Sequence, residues 1–206
     1  LEEEPEFKIP DYDAEIRNVK ALVKSCREQL ESNHIQAIPH FNEIMNRELD
    51  AVVDVLTKVD HFHACARCAR AALELTVVNL YRHFYPGGRL LDGSFWEKYG
   101  LKSLTHRTES PILKLVREGV LDDIEFGFFC ESYKNLSEYV HYRITYELCH
   151  TLPRIIRSEQ YYAEVVKLAE KKGRVATIVK ATLIKYSLEP ALEALLMLLK
   201  SYKRVR

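Results

Sequence analysis

The sequence predicts an all-α protein, an up-and-down helical bundle with additional C-terminal helices, on three observations. Breakers are sparse, with seven Gly and seven Pro among 206 residues, and residues 40 to 85 contain neither. Helix interiors reject both, since Gly costs about 1 kcal/mol and Pro about 3 there. Apolar residues recur at i, i+3, i+4 and i+7 through the long segments, the period of one helix face. No stretch alternates apolar and polar residues for a useful length, and no internal repeat is visible.

The first helix is expected from Asp11 or Asp13, as N-cap, to about Ser32, with Ile16, Val19, Leu22, Val23, Cys26 and Leu30 on its apolar stripe. A second follows Pro39 and carries Phe41, Ile44, Met45, Leu49, Val52, Val53 and Leu56. Residues 59 to 85 form a third, or continue the second through a bend. This segment is apolar nearly all round, which places it at the centre of the bundle. Pro86, Gly87, Gly88 and Asp92-Gly93 then open a loop region with a short helix near Trp96. Ser110-Pro111 reads as an N-cap with Pro at N1, starting a short helix that stops near Gly119.

Asp122 or Asp123 caps the next helix, which holds Ile124, Phe128, Phe129, Tyr133, Leu136, Tyr139 and Val140 and ends near Ile144. After Pro153, helices are expected from Ser158 to Lys171, Arg174 to Ser187 and Pro190 to Tyr202. The domain reading is a bundle core over 1–152 with a C-terminal extension, 153–206, packed on it. The last helix ends in Lys200, Lys203, Arg204 and Arg206, which suits a helix C-terminus and also suits a contact with a partner or RNA.

Acidic and basic residues balance at 30 each, so no global positive charge advertises nucleic acid. Five scattered cysteines do not read as a secreted disulfide framework. The acidic first residues and the lack of a long uncharged apolar run predict no membrane insertion, and the composition predicts a cytoplasmic protein. There is no Gly-rich phosphate loop, dinucleotide fingerprint or nucleophile elbow, so no cofactor is expected.

Three constellations carry chemical potential. His61, Cys65 and Cys68 share a helix face at i, i+4 and i+7, which makes them metal candidates with three ligands at most. His63 points elsewhere, and the small residues around the cysteines also suit close packing. Arg67, Arg70 and Glu74 form a polar stripe on the central helix, where Arg70 and Glu74 stand at i, i+4. Charge there demands a partner, either within the helix or in a polar pocket or dimer contact. Finally, Lys134, Ser137, Glu138 and His141 in YKNLSEYVHYR fall on or near one face. A cation and an imidazole suit metal-free phosphodiester cleavage, while a histidine at a helix end also suits simple capping.

Two patches, ARAALELTVVNLY with Arg70-x-x-x-Glu74 and the later LSEYVH, resemble the HEPN-like superfamily of all-α domains over roughly residues 40 to 150. The resemblance implies a four- or five-helix core, homodimerisation and, in active members, metal-independent RNA cleavage at the dimer interface. It places Lys134, Asn135 and His141 on the signature positions, with lysine where the signature has arginine. A lysine is a flexible point charge, without the bidentate fork that guanidinium offers to phosphate. Relatives with degenerate signatures imply a binding module in a defence, stress or toxin-antitoxin setting, or one that engages a protein partner.

Overall fold

The computed structural model describes residues 10–59, 62–86, 111–140 and 175–205. Among them every regular element is helical, and the helices pack into an all-α bundle. In chain order they are α1 (Tyr12–Glu31), α2 (Phe41–Asp54), α3 (Phe62–Phe84), α4 (Pro111–Arg117), α5 (Asp123–Val140), α6 (Val175–Leu183) and α7 (Glu189–Ser201). A π-helical turn, Val55–Val59, follows α2, and a second, Ile184–Leu188, joins α6 to α7. A 3₁₀ turn, Tyr202–Arg204, closes the described chain.

Local chemistry sets the starts and stops. The Asp11 carboxylate accepts from the Ala14 N–H at 2.8 Å and caps α1. Pro111 begins α4, and Gly119, at φ +70°, ends it. The left-handed turn at Gly119 lets the Val120 N–H reach back to the Leu115 carbonyl at 3.0 Å. At α5 the Asp122 side chain accepts from the Glu125 N–H at 2.8 Å, and the Glu125 carboxylate accepts from the Asp122 N–H at 3.0 Å. That reciprocal pair satisfies two donors a helix start leaves open. His40 precedes α2 at φ 57°, a left-handed conformation rarely taken by a residue with a side chain.

Four helices form a closed ring: α1 packs on α2, α2 on α3, α3 on α7, and α7 back on α1. Helix α5 lies against both α3 and α7, and α4 rests on α3 and α5. The core follows this arrangement, with Val19, Val23, Cys26 and Leu30 from α1, Phe41, Met45 and Leu49 from α2, and Leu73, Val77 and Leu80 from α3. Leu192, Leu195 and Leu198 of α7 complete it, so the Leu-rich face of the last helix lies inside the bundle. As its apolar pattern predicts, α3 is buried over most of its surface, while Ala64, Cys68, Ala71 and Leu75 are half-buried and Arg67 faces solvent.

Amides hold the α1–α2 connection in place. Asn33 accepts from the Ile35 N–H at 2.9 Å, and Asn42 donates to the Leu30 carbonyl at 3.0 Å, satisfying an acceptor at the end of α1. Asn79, fully buried in α3, accepts from the Ile38 N–H at 2.9 Å and donates to the Ile35 carbonyl at 2.9 Å and to Tyr202 Oη at 3.1 Å. One side chain therefore joins the α1–α2 loop, the central helix and the last turn. Asn79→Leu takes the acceptor from the Ile38 N–H in a dry interior, while the Ile35 carbonyl keeps the Asn33 amide at 3.1 Å and the Tyr202 hydroxyl keeps the Thr76 carbonyl at 3.4 Å, so it is expected to cost about 1 to 3 kcal/mol. A lowered urea midpoint with an unchanged slope is the measurement that checks it.

Candidate functional site

The first patch that carries the family resemblance lies on α3 and the second, as far as Val140, on α5, and these two helices pack against each other. Their contact is built on charge. Arg70, only 3% exposed, donates from Nε to Glu74 Oε1 at 2.7 Å, one turn along α3. Tyr133 on α5 donates its hydroxyl to that same Glu74 oxygen at 2.7 Å. The Arg70 guanidinium carbon stands 5.3 Å from the centre of the Tyr133 ring, and Phe129 stacks on that ring at 5.7 Å.

Each side chain meets a need of the others. An arginine one turn before a glutamate is the less favourable order for a helical ion pair, because it opposes the helix dipole. Burial and the Tyr133 hydroxyl make good that deficit. Burial, and after it the negative charge of Glu74, push the Tyr133 phenol well above its ordinary range, with Arg70 opposing. The phenol stays a hydrogen-bond donor at any ordinary pH. Chemically, the cluster is a closed tie between helices, with its charge turned inward.

The other expected residues lie apart from it. Arg67 is exposed on α3, outside the Arg70–Glu74 tie. Lys134 is exposed on α5 and Asn135 is half-buried, while their neighbours Tyr133 and Leu136 point into the core. Ser137 is half-buried, and its hydroxyl oxygen is buried with no hydrogen-bond partner among the described residues. His141 and His61 lie outside the described residues, so the full Lys134 to His141 and His61 to Cys68 constellations do too.

Cys65 packs toward α2, its thiol 3.4 Å from the Val52 carbonyl, and burial pushes its pKa up to about 12. Burial, and then the charge of Glu48, raise the half-buried Cys68 as well. Both thiols therefore stay protonated, a state suited to packing and not to nucleophilic attack. Among the described residues no three His, Cys, Asp or Glu side chains converge as a metal site.

A cleft of about 250 Å³ opens where α1, α3 and α7 end together, lined by residues that include Asn33, His34, His83, Tyr202 and Lys203. Basic side chains there complement the partial negative charge of three helix C-termini. Comparison of the chain with family models, curated proteins and solved structures finds no match.

Two features were hidden from the sequence. Tyr133 is the third member of the Arg70–Glu74 tie, and its place inside YKNLSEYVHYR was the only available hint. Asn79, a lone amide inside the apolar run TVVNLY, offered a stronger one.

Glu74→Ala leaves the Arg70 cation without its carboxylate in a nearly dry site. The expected loss is about 2 to 4 kcal/mol, at the lower side for such pairs because the Glu74 side chain is 23% exposed. Lys134→Ala, on the outer face of the same contact, is expected to change stability by less than about 0.5 kcal/mol. Urea unfolding of the two variants beside wild type tests the contrast.

Proposed function

We propose that the chain is a non-catalytic HEPN-like helical module, in which α5 holds the bundle together and its outer face serves a binding role. The tie from Tyr133 to Glu74 and Arg70 is the observation that carries this reading. It commits Arg70 and Glu74 of the first patch, with Tyr133 of the motif helix, to joining α3 with α5. A catalytic role asks for ionisable groups facing a substrate, and these face one another. The setting that fits such a module is a defence, stress or toxin-antitoxin system, working as a homodimer or with a protein partner. Among the described residues no helix is long and apolar enough to cross a membrane.

The second reading, a metal-independent ribonuclease acting as a homodimer, draws on the exposure of Lys134 beside the half-buried Asn135. A solvent-facing cation on the motif helix is available to a phosphate. In that reading His141 supplies the proton transfer and a second subunit completes the site.

One experiment separates them. Wild type and His141→Ala are incubated with structured and single-stranded RNAs in EDTA, and thermal melting is recorded for both. The module reading expects intact RNA from both proteins and a lowered melting temperature in the variant. Cleavage by wild type that persists in EDTA and disappears in His141→Ala, with melting unchanged, establishes the ribonuclease instead. Light scattering on the same samples reports whether two copies associate.

A further inference from the structure

The seam between α1 and α7 contains a second charged cluster, remote in sequence from the motif helix. Glu15 occupies the buried stripe of α1, one turn before Val19, and is only 4% exposed. Glu189 opens α7 opposite it and is 9% exposed. Asn18 bridges the two carboxyls, its Nδ2 lying 3.0 Å from Glu15 Oε2 and 3.3 Å from Glu189 Oε1. Lys185, within the π-helical turn that precedes α7, reaches Glu15 Oε1 at 3.4 Å.

Charge counting exposes the constraint. Lys185 balances one carboxylate, and Asn18 brings no charge. Among the described residues that contact the pair, one proton makes the charges sum to zero, whereas without it they sum to one negative charge at a buried helix contact. The site also lies on a π turn, a local irregularity in helices that often coincides with functional positions. Within that turn the Ser187 hydroxyl is buried and has no hydrogen-bond partner among the described residues.

We propose that Glu15, Glu189 and Lys185 form a proton-dependent latch on the α1–α7 seam, closed while the two carboxyls share one proton and loosened when that proton leaves. Glu189 is the proton-holding member. Burial first, and the neighbouring Glu15 second, push its carboxyl up to about 8, against the opposing effects of Asn18 and Lys185. These are the groups that act on it from α1 and from the π turn. In the unfolded chain the same carboxyl releases its proton near the usual 4.5. The latch's contribution is therefore complete below about pH 4.5 and is lost as pH rises through about 8. The slight exposure of Glu189 gives the proton a route to solvent.

Cys26 reports on the seam directly, because its thiol packs 3.8 Å from the Leu192 carbonyl of α7. Melting temperature and the rate of Cys26 alkylation, measured from pH 5 to pH 9 in wild type and Glu189→Gln, test the latch. Because thiol ionisation acts equally in both proteins, the ratio of their alkylation rates isolates the seam. At pH 9 wild type is expected to melt at least about 3 °C below Glu189→Gln and to be alkylated faster, with both gaps closing toward pH 6. Should Glu189→Gln fail to fold, carboxyl ¹³C titration of wild type gives the answer: a Glu189 midpoint above pH 7 supports the latch. Parallel pH profiles for the two proteins, or a Glu189 midpoint near 4.5, overturn it.

Discussion

The Asn79 amide is the constraint on which the rest of the bundle leans. A fully buried amide has no water to fall back on, so its hydrogen bonds must come from whatever packs around it. Here those partners are the backbone of the α1–α2 loop and the phenol of Tyr202. The loop must therefore lie against α3 in one register, and the last turn must return to the same spot. Tyr202 reinforces the demand by packing its ring 6.2 Å from Phe41 at the start of α2. Hydrophobic burial favours a bundle of some kind, and this network selects which one.

The Arg70–Glu74–Tyr133 tie does for α5 what Asn79 does for the loop. An outlying helix packed by apolar contact alone can rotate or slide, whereas one whose phenol must meet a particular carboxylate oxygen cannot. The C-terminal turn adds a third pin. Arg204 grips Glu125 through both terminal guanidinium nitrogens, at 2.6 and 2.8 Å, while Glu125 also caps α5. One carboxylate thus serves a helix start and a long-range ion pair together. The basic residues that end α7 are in this respect partly committed, since Arg204 also donates to the Val120 carbonyl at 3.2 Å.

Much of this was legible where the signal is local. Helical periodicity located α1, α2 and α3, Asp11 and Asp122 announced their helices, and Pro111 and Gly119 bounded α4. The i, i+4 spacing of Arg70 and Glu74 gave their ion pair. What stayed hidden is set by pairing at a distance. No local pattern tells Glu74 that its third partner is Tyr133, or Glu15 that Glu189 will face it across a seam. Glu15 illustrates the difficulty well, since a glutamate in the first turn of a helix reads as dipole complement, and its burial is decided by α7. The π turns escaped for another reason: neither VLTKV nor IKYSL contains a Gly or Pro to mark a departure from the α-helical period.

Closing the ring with α7 has a consequence for how the chain acquires its shape. Cys26 and Leu192, which touch across the α1–α7 seam, are 166 positions apart. On a ribosome adding about 5 to 20 residues per second, the apolar stripe of α1 waits roughly 10 to 30 s for its permanent cover. During that interval α2 and α3 are its available shelter, and the emerging chain presents an incomplete, sticky half-ring. Such a topology rewards a holdase early in synthesis, and it makes the seating of α7 the event that closes the ring.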